Sequence, residues 1–509
     1  MTATFLYVSL LCGSTSLCVY YFLPATWQLP LPPGPKPKFL SGNVHQLPRS
    51  QAWKVFKQWS ETFNSPITFH RIFGRKFIVL NTLKAANDLL ESRSNIYSDR
   101  PMACMYKELV NRGMAVFNVS SQHPRFKVYR RLLNTSLNPR AVERYDGILY
   151  DERLILLRGL ATEPEAFTRH LRRVSGGVIL KVAYGWTVND IDDYFVDLME
   201  QSFALSVEIM KPGRWLVDVF PILRFVPSWF PGAGFKRDAA VWREQMSELD
   251  RKPHAWAKEQ IESGNYIDSF TSQHMRPEDG HEIDAEEEDI IKWCSAALYT
   301  GGADTTVSAL SSFVLFMALH PDIQHRAQAE IDEVVGKNRL PTSADQVCLP
   351  YVSAVLKEVL RVAPVARLGL PHRVLREDEY LGYRIPRGST VIANIWGITH
   401  DASLYPEPMT FNPDRFLATS DGPAQLDSSK IVFGYGRRIC PGAHLAEVSM
   451  FLNVAGILAT FNISKALDER GKEVEPLVEY TDGITSHPKP FKCCILPRSH
   501  ENLAMLEIP

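Results

Sequence analysis

A cysteine near the carboxyl end of the chain lies in a glycine-punctuated loop that could hold a metal. The segment reads Phe-Gly-Tyr-Gly-Arg-Arg-Ile-Cys-Pro-Gly from Phe433 to Gly442. Apolar residues at helical spacing follow from Ala443 to Phe461, so Cys440 should lie near a helix N-terminus, where the positive end of the dipole favours a thiolate. The glycines allow a tight turn and a close approach of the backbone to a flat ligand. Such a loop could hold one sulfur against an iron porphyrin.

Two other interpretations of this loop stay open on the residues alone. A lone cysteine is usually a small buried hydrophobe, and a glycine-rich loop before a helix can bind a phosphate. The loop lacks the Gly-Lys-Ser/Thr ending and the Gly-x-Gly-x-x-Gly spacing of nucleotide-binding loops. The thiolate interpretation accounts for more positions at once, since Arg438 could also reach an anionic haem propionate.

The loop resembles the haem-binding loop of the cytochrome P450 family. That resemblance implies haem b (iron protoporphyrin IX) with the Cys440 thiolate as the axial ligand, and it makes Phe433 and Gly442 cofactor contacts. A thiolate ligand pushes electron density onto the iron and favours O–O bond cleavage. It also implies the cytochrome P450 fold, a mainly α structure with small β-sheets.

The elements that would position this loop can be placed from pattern. Strand-like runs at 67–71 and 77–81 precede a largely helical pattern from 125–133 onward, and a second strand-and-turn region spans 380–394. The 509 residues with 45% hydrophobic and 22% charged content are ordinary for a globular protein. A net charge of −1 gives no sign of a nucleic-acid partner. Eight cysteines with no metal-finger spacing suit the reducing cytosol.

The first residues predict a membrane anchor. No charged side chain precedes Lys36, and residues 4–23 are apolar over about the 20 residues that span a bilayer. A cleaved signal peptide would carry a basic segment first. The lysines that follow the span place the body on the cytosolic side. We expect an anchor with its flank in residues 1–30, a proline-rich hinge in 31–40 and a single large cytochrome P450 haem domain in 41–509, single-pass in the endoplasmic reticulum membrane.

A second motif, Gly-Gly-Ala-Asp-Thr-Thr from Gly301 to Thr306, lies inside a helical pattern from about residue 287 to 320. Each glycine in a helix interior costs about 1 kcal/mol relative to alanine. Either a close helix–helix contact or a locally opened helix with room for dioxygen would offset that cost. The segment resembles the family's Ala/Gly-Gly-x-Asp/Glu-Thr motif. The resemblance implies that Asp304 and Thr305 are catalytic residues that relay protons to dioxygen.

Further residues follow from the resemblance. Glu358 and Arg361 lie one helical turn apart. With Arg415 of a downstream Phe-Asn-Pro-Asp-Arg-Phe segment they would form a buried charged network with a structural role. Arg100, Arg130 and His372 match positions that often face haem propionates. Phe126 stands where the family usually has tryptophan, so one indole N–H donor to a propionate is lost.

The resemblance implies a membrane-anchored haem-thiolate monooxygenase. It would take electrons from an NADPH-cytochrome P450 reductase, with cytochrome b5 as an optional second donor, and use O2 to oxidise a lipophilic small molecule. Exposed basic residues near the cysteine loop could meet an acidic flavoprotein, although a solvated face explains them too: Lys127, Arg131, Lys430 and Arg437. Segments 102–119, 203–210, 296–305 and 364–370 would wall an apolar pocket.

Residues 226–237 and 242–244 resemble those of mushroom-type microsomal enzymes that oxidise indole amines or terpenes. Fungal secondary-metabolite biosynthesis, whether terpenoid, indole/aromatic or polyketide, is therefore expected. Two alternatives stay open. One is a reductase-independent haem-thiolate isomerase or dehydratase, and the other is a non-catalytic haem-binding membrane protein. The presence of both Asp304 and Thr305 argues against each.

Overall fold

Helices form most of this computed structural model, which describes residues 29–190, 192–211, 213–418, 420 and 422–506. The predicted anchor at 4–23 lies outside the described residues. The mainly α fold with small sheets is as expected. The longer helices are α1 (Ala52–Thr62), α4 (Pro124–Leu137), α6 (Asp146–Thr162), α7 (Phe167–Tyr184), α8 (Tyr194–Ile209), α10 (Gly234–Ser263), α12 (Ala285–Leu319), α13 (Pro321–Val334), α14 (Pro350–Val362) and α17 (Ala443–Thr460).

Short helices and helical turns connect the long ones. The short α-helices are α2 (Leu83–Ala86), α3 (Ser94–Tyr97), α5 (Pro139–Glu143), α9 (Leu216–Val219), α11 (Phe270–Met275), α15 (Ile395–Thr399), α16 (Ser429–Val432) and α18 (His500–Ala504). Single turns of 3₁₀ or π geometry are Val44–Gln46, Asn87–Ser92, Cys104–Leu109, Pro164–Ala166, Pro221–Phe225, Ser343–Cys348, Pro413–Phe416 and Gly436–Arg438.

Within the described residues, the strands form three small sheets. They are β1 (Ile67–Ile72), β2 (Arg75–Leu80), β3 (His372–Arg373), β4 (Asp378–Tyr380), β5 (Tyr383–Ile385), β6 (Thr390–Ala393), β7 (Phe461–Leu467), β8 (Glu473–Val474) and β9 (Cys493–Pro497). The first sheet has the order β1-β2-β6-β3, with β2 and β6 parallel and the other pairs antiparallel. The predicted strands at 67–71, 77–81 and within 380–394 are confirmed. The C-terminal sheet, β8-β7-β9, follows α17 directly.

Helix α12 is the central element. It begins at a capping box, in which the Asp284 carboxylate accepts from the N–H groups of Glu286 and Glu287 while the Glu287 side chain accepts from the Asp284 N–H. Its 35 residues are about 52 Å long at 1.5 Å per residue. The helix packs against α7, α10 and α17 and is buried along most of its length.

Among the described residues, α12 and α17 are long and apolar enough to cross a membrane by composition. In each, 78% of the apolar window is buried inside the protein. Core helices of large soluble domains have this character, so both helices belong to the hydrophobic core.

Candidate active site

Cys440 lies where the sequence predicts, just before the N-terminus of α17. Its N–H donates to the Phe433 carbonyl at 2.9 Å, which closes the loop around the sulfur. Gly442 is the N-cap of α17, and its backbone N–H favours the thiolate form of Cys440. The Cys440 side chain is accessible, so a ligand can reach it. The loop therefore presents one sulfur at the positive end of a helix.

Gly436 is the glycine on which the shape of the loop depends. Its φ is +56°, a conformation that L side chains rarely adopt, and a Cβ there would lie 2.3 Å from the Leu90 carbonyl oxygen. Its N–H donates to the Glu91 carboxylate. The loop is thus pinned to the 87–92 turn by a contact that only glycine permits.

The surroundings of Cys440 act in opposite directions on its charge. The protein atoms packed around Cys440 reduce its hydration and so raise the pKa of the thiol, although part of the side chain stays accessible. The Gly442 N–H and the nearby Arg130 lower that pKa by a smaller amount. The position of Cys440 at a helix N-terminus suggested a thiolate. The helix terminus alone does not outweigh the effect of burial on the thiol. A bound metal cation deprotonates a coordinating thiol outright, and the donor set here suits such a cation.

Arg438 lies in the same loop and is held by backbone carbonyls. Its Nε donates to the Ser98 carbonyl at 2.8 Å and its Nη2 to the Val119 carbonyl at 2.6 Å. Its guanidinium lies 4.3 Å from the centre of the Phe126 ring. Phe126, in place of the usual tryptophan, thus acts as a cation–π partner that contributes about 0.5–2 kcal/mol.

Arg100 and Arg130 complete a group of cations near the loop. Arg100 donates to the carbonyls of Phe117, Leu370 and Pro371 at 2.7–2.9 Å. Arg130 donates to the Ile439 carbonyl at 2.8 Å.

The three arginines have no carboxylate partner anywhere in the described ranges. Burial and repulsion from Arg100 lower the pKa of Arg438 to about 8, and burial lowers that of Arg100 to about 10. Buried charges are normally paired. A ligand that brings two carboxylates, as a haem does with its propionates, would supply the missing counter-charges, so these residues fit the predicted cofactor.

His372 is buried at β3 and contacts the Tyr97 carbonyl through Nδ1 at 2.8 Å. Burial, together with repulsion from Arg100, lowers the pKa of His372 to about 3. The ring is therefore neutral, with Nδ1 as the donor and Nε2 as an acceptor. It can donate to a propionate only after taking up a second proton, so the predicted contact requires that propionate to raise the pKa of the ring.

Asp304 and Thr305 lie on α12 but have different partners. The Thr305 hydroxyl donates to the Gly301 carbonyl at 2.7 Å. The Asp304 carboxylate accepts from the Thr485 hydroxyl and lies 3.0 Å from His487 Nε2. Burial alone would raise the pKa of Asp304, but the hydrogen bonds from His487 and Thr485 outweigh it and lower the pKa.

The paired glycines of α12 have a packing explanation. A Cβ on Gly302 would lie 2.8 Å from Ile179 of α7, and one on Gly301 would lie 3.3 Å from Phe117. Helix α12 runs without interruption through both glycines. Of the two alternatives that the sequence left open, the structure therefore supports the close contact between α12 and α7 at Gly302.

Glu358, Arg361 and Arg415 form a buried charged network. Glu358 accepts from Arg361 Nε at 2.7 Å and from Arg415 Nε at 3.1 Å, and all three side chains are at most 3% exposed. Glu358 also accepts from the Asn412 N–H at 2.8 Å. Asp414, by contrast, pairs with Arg326 at the surface.

Sequence reasoning missed Thr485 and His487. They lie in an irregular segment between β8 and β9 that carries no recognised motif. The clue available in the sequence was the unpaired acid of the Asp304 motif, which needs a partner when buried.

The chain matches the cytochrome P450 family over residues 32–495. It is 43% identical to cytochrome P450 monooxygenase 208 of Postia placenta, over 92% of this chain and 91% of that protein. It is 41% identical to cytochrome P450 monooxygenase claR of Ampulloclitocybe clavipes, over 92% and 87%. It is 36% identical to cytochrome P450 monooxygenase ppsD of Aspergillus oryzae, over 97% and 95%. Coverage this complete, joined to an accessible cysteine among unpaired arginines, establishes that the chain belongs to the cytochrome P450 family of haem-thiolate monooxygenases.

Proposed function

We propose that this chain is a membrane-anchored monooxygenase that takes electrons from an NADPH-cytochrome P450 reductase and oxidises a lipophilic small molecule in fungal secondary metabolism. The observation that carries the proposal is the accessible Cys440 beside three arginines that lack carboxylate partners. Cys440 would hold the iron, and Arg100, Arg130 and Arg438 would hold the propionates. When bound, the haem activates dioxygen, and its thiolate ligand favours O–O cleavage.

The residues of α12 would then manage protons. The Thr305 hydroxyl donates a hydrogen bond to the Gly301 carbonyl, so its oxygen is oriented to accept a hydrogen bond from a water. Asp304 is held by Thr485 and His487, and its Oδ atoms can take up and release a proton. General acid–base groups of this kind contribute about 10²–10⁴-fold to a rate. Isomerases and haem-binding proteins need no such groups, which favours oxygen insertion over both alternatives.

A lipophilic substrate is supported by the segments expected to wall the pocket. Met105 and Val110 are buried in an apolar cluster with Ile209 of α8 and Met246 of α10. Phe117 reaches α12 at Gly301. Mostly apolar walls with a few polar groups are typical of small-molecule sites. Terpenoid, indole/aromatic and polyketide substrates all suit such walls.

A membrane-facing surface is supported by exposed apolar side chains on neighbouring segments. The exposed residues are Phe39, Leu40, Phe220, Ile222, Phe225 and Trp229. The 38–42 turn is joined to Phe73, whose N–H donates to the Ser41 carbonyl at 3.1 Å, and Phe73 lies 6.0 Å from Phe220, ring to ring. An exposed apolar surface of this kind marks a membrane or protein contact. Its position beside the start of the described chain favours a membrane and a single-pass anchor in the endoplasmic reticulum.

The proposed reductase surface contains four exposed cations. Lys127, Arg131, Lys430 and Arg437 are exposed, and none has an ion-pair partner within the part of the chain that the structure describes. Such a patch steers an acidic flavoprotein mainly through the association rate. Cytochrome b5 would compete for the same patch.

Reconstitution tests the proposal. The full chain is placed in yeast microsomes with a fungal NADPH-cytochrome P450 reductase, and 7-ethoxycoumarin serves as the lipophilic probe. We expect product formation that requires both NADPH and the reductase. Arg131→Glu with Arg437→Glu should slow electron transfer several-fold, whereas Arg470→Glu, an exposed control away from the patch, should not.

Two outcomes would contradict parts of the proposal. Turnover of an organic peroxide without reductase or NADPH, together with no NADPH-dependent product, would favour the isomerase or dehydratase alternative. Recovery of the full chain in the soluble fraction would contradict the anchor. Removal of residues 1–30 should weaken membrane binding, and Trp229→Ser with Phe225→Ser should weaken it further.

A further inference from the structure

The carboxylate of Asp304 is held by one loop that is distant in sequence. Thr485 donates its hydroxyl proton to Asp304 Oδ2, and His487 Nε2 lies 3.0 Å from Oδ1. Both oxygens of the acid are therefore engaged by residues two positions apart. Thr305 next to Asp304 bonds to its own helix instead.

The loop that carries His487 is fixed in place. The His487 N–H donates to the Thr481 hydroxyl at 3.0 Å, and the Thr481 N–H donates to the His487 carbonyl at 2.8 Å. The Ser308 hydroxyl of α12 donates to the Ser486 carbonyl at 2.7 Å. The imidazole is thus positioned against α12 by contacts on both sides of it.

His487 and Asp304 are both partly exposed to solvent. The side chain of His487 is 26% exposed, and that of Asp304 is 23% exposed. The other charged group that acts on Asp304 is Arg172 of α7, which is paired with Glu200 at 3.1 Å. A partly exposed contact between an imidazole and a carboxylate adds at most about 1 kcal/mol to stability, so stability alone gives little reason for this arrangement.

The hydrogen bonds that lower the pKa of Asp304 also mean that it needs a source of protons. An acid with a lowered pKa is almost entirely ionised at neutral pH, so it must be reprotonated after each proton that it releases. An imidazole can accept a proton at one nitrogen and release one from the other. The only group in the described structure that both contacts Asp304 and can work in this way is His487.

We propose that His487 carries protons from solvent to Asp304 during oxygen activation, an inference that rests on the proposed role of Asp304. Neutral His487 takes a proton from water at Nδ1 and becomes an imidazolium. The Nε2 proton then passes to Asp304 Oδ1, which leaves a neutral carboxylic acid and the Nδ1–H tautomer of the imidazole. Asp304 gives that proton to water beside Thr305 and returns to a carboxylate. Proton exchange of His487 with water, which removes the Nδ1 proton and returns one to Nε2, restores the starting tautomer. NADPH, through the reductase, supplies all of the electrons.

Two substitutions separate proton transfer from positioning. His487→Gln keeps an N–H donor toward Asp304 but cannot carry a proton, whereas His487→Ala removes both functions. His281→Gln is the matched control, since His281 Nδ1 pairs with Asp279 at 2.7 Å on the surface. The full-length proteins are compared in reductase-containing microsomes with 7-ethoxycoumarin. The readouts are the fraction of NADPH electrons recovered as hydrogen peroxide and the solvent isotope effect in D2O.

We expect His487→Gln and His487→Ala to lose coupled turnover to a similar extent, by about tenfold, because water replaces the imidazole only in part. The solvent isotope effect should rise in both and stay unchanged in His281→Gln. Without turnover, the C–O stretch of the reduced, carbon-monoxide-bound protein should vary with pH in the wild type and lose that variation in His487→Gln.

Three results decide the matter. If His487→Gln matches the wild type in coupling and isotope effect while His487→Ala is impaired, His487 only positions Asp304 and the inference is overturned. If Asp304→Asn uncouples the enzyme and neither His487 variant does, the inference fails and the role of Asp304 stands. If Asp304→Asn leaves coupling intact, both fail.

Discussion

Glu358 offers a quantitative test of what holds the fold around the cysteine loop. Its carboxylate is shared by Arg361 and Arg415, all at most 3% exposed. In Glu358→Gln the shape of the side chain is kept and its charge is lost. The two guanidinium groups would keep their other acceptors, which include the Thr399 carbonyl for Arg361 and the Pro406 carbonyl for Arg415.

The expected cost is large because two buried cations lose one counter-charge. Removal of one partner from a buried ion pair costs about 3–5 kcal/mol. We expect the upper end, about 5 kcal/mol, because a single carboxylate serves both arginines. Whole domains are stable by only about 5–15 kcal/mol, so much of the variant should fail to retain a folded haem site.

The control is a nearby ion pair of the same chemistry at the surface. Arg326 and Asp414 lie 2.7 Å apart, but their side chains are 53% and 47% exposed. Asp414→Asn should therefore change the free energy of unfolding by no more than about 1 kcal/mol. Urea unfolding of the holoprotein, together with the yield of the carbon-monoxide-bound spectrum, measures both variants. Equal losses in the two variants would refute the reasoning that burial sets the cost.

Three further substitutions probe the metal ligand, the proton path and a buried base. Cys440→Ser should abolish the red-shifted Soret band of the reduced, carbon-monoxide-bound protein, and an unchanged band would exclude Cys440 as the ligand. Thr305→Ala should divert NADPH electrons to hydrogen peroxide, measured against product, and unchanged coupling would exclude its hydroxyl from the relay. Burial lowers the pKa of His70 to about 4 from 6.5, so the unfolded chain binds the extra proton and stability is lost as pH falls below 6.5. His70→Phe, within the stack of Phe56 and Phe77, should remove about 2 kcal/mol of that loss between pH 7.5 and pH 5 in urea unfolding, and an equal loss in both proteins would contradict the assignment.

Local pattern predicted the elements well. The helix expected over about 287–320 is Ala285–Leu319, and the strand expected at 67–71 is Ile67–Ile72. Helix α12 is buried on most sides and strand β1 is partly buried. The spacing of apolar residues in the sequence therefore predicts both elements. The same reasoning placed Cys440 correctly before a helix, because the glycines and the apolar run are contiguous with it.

Contacts between distant segments were not predictable in this way. Nothing near Asp304 in the sequence points to His487, and nothing near Phe126 points to Arg438. The lost indole donor at position 126 was expected to weaken the propionate site. The fold instead places the Phe126 ring face against the guanidinium at 4.3 Å. Such pairs depend on how helices and loops meet, which no local period encodes.

The charges around the cysteine loop determine which kind of ligand the site favours. Burial raises the pKa of Cys440 and lowers that of Arg438. It therefore opposes the thiolate form of the cysteine and the charged form of the arginine. An iron cation at the sulfur and carboxylates at the arginines would reverse both effects at once. Because a haem carries these opposite charges on one rigid ring, its binding free energy would compensate for desolvation that the protein alone leaves unbalanced. These charges therefore favour an anionic porphyrin over a neutral ligand of similar shape.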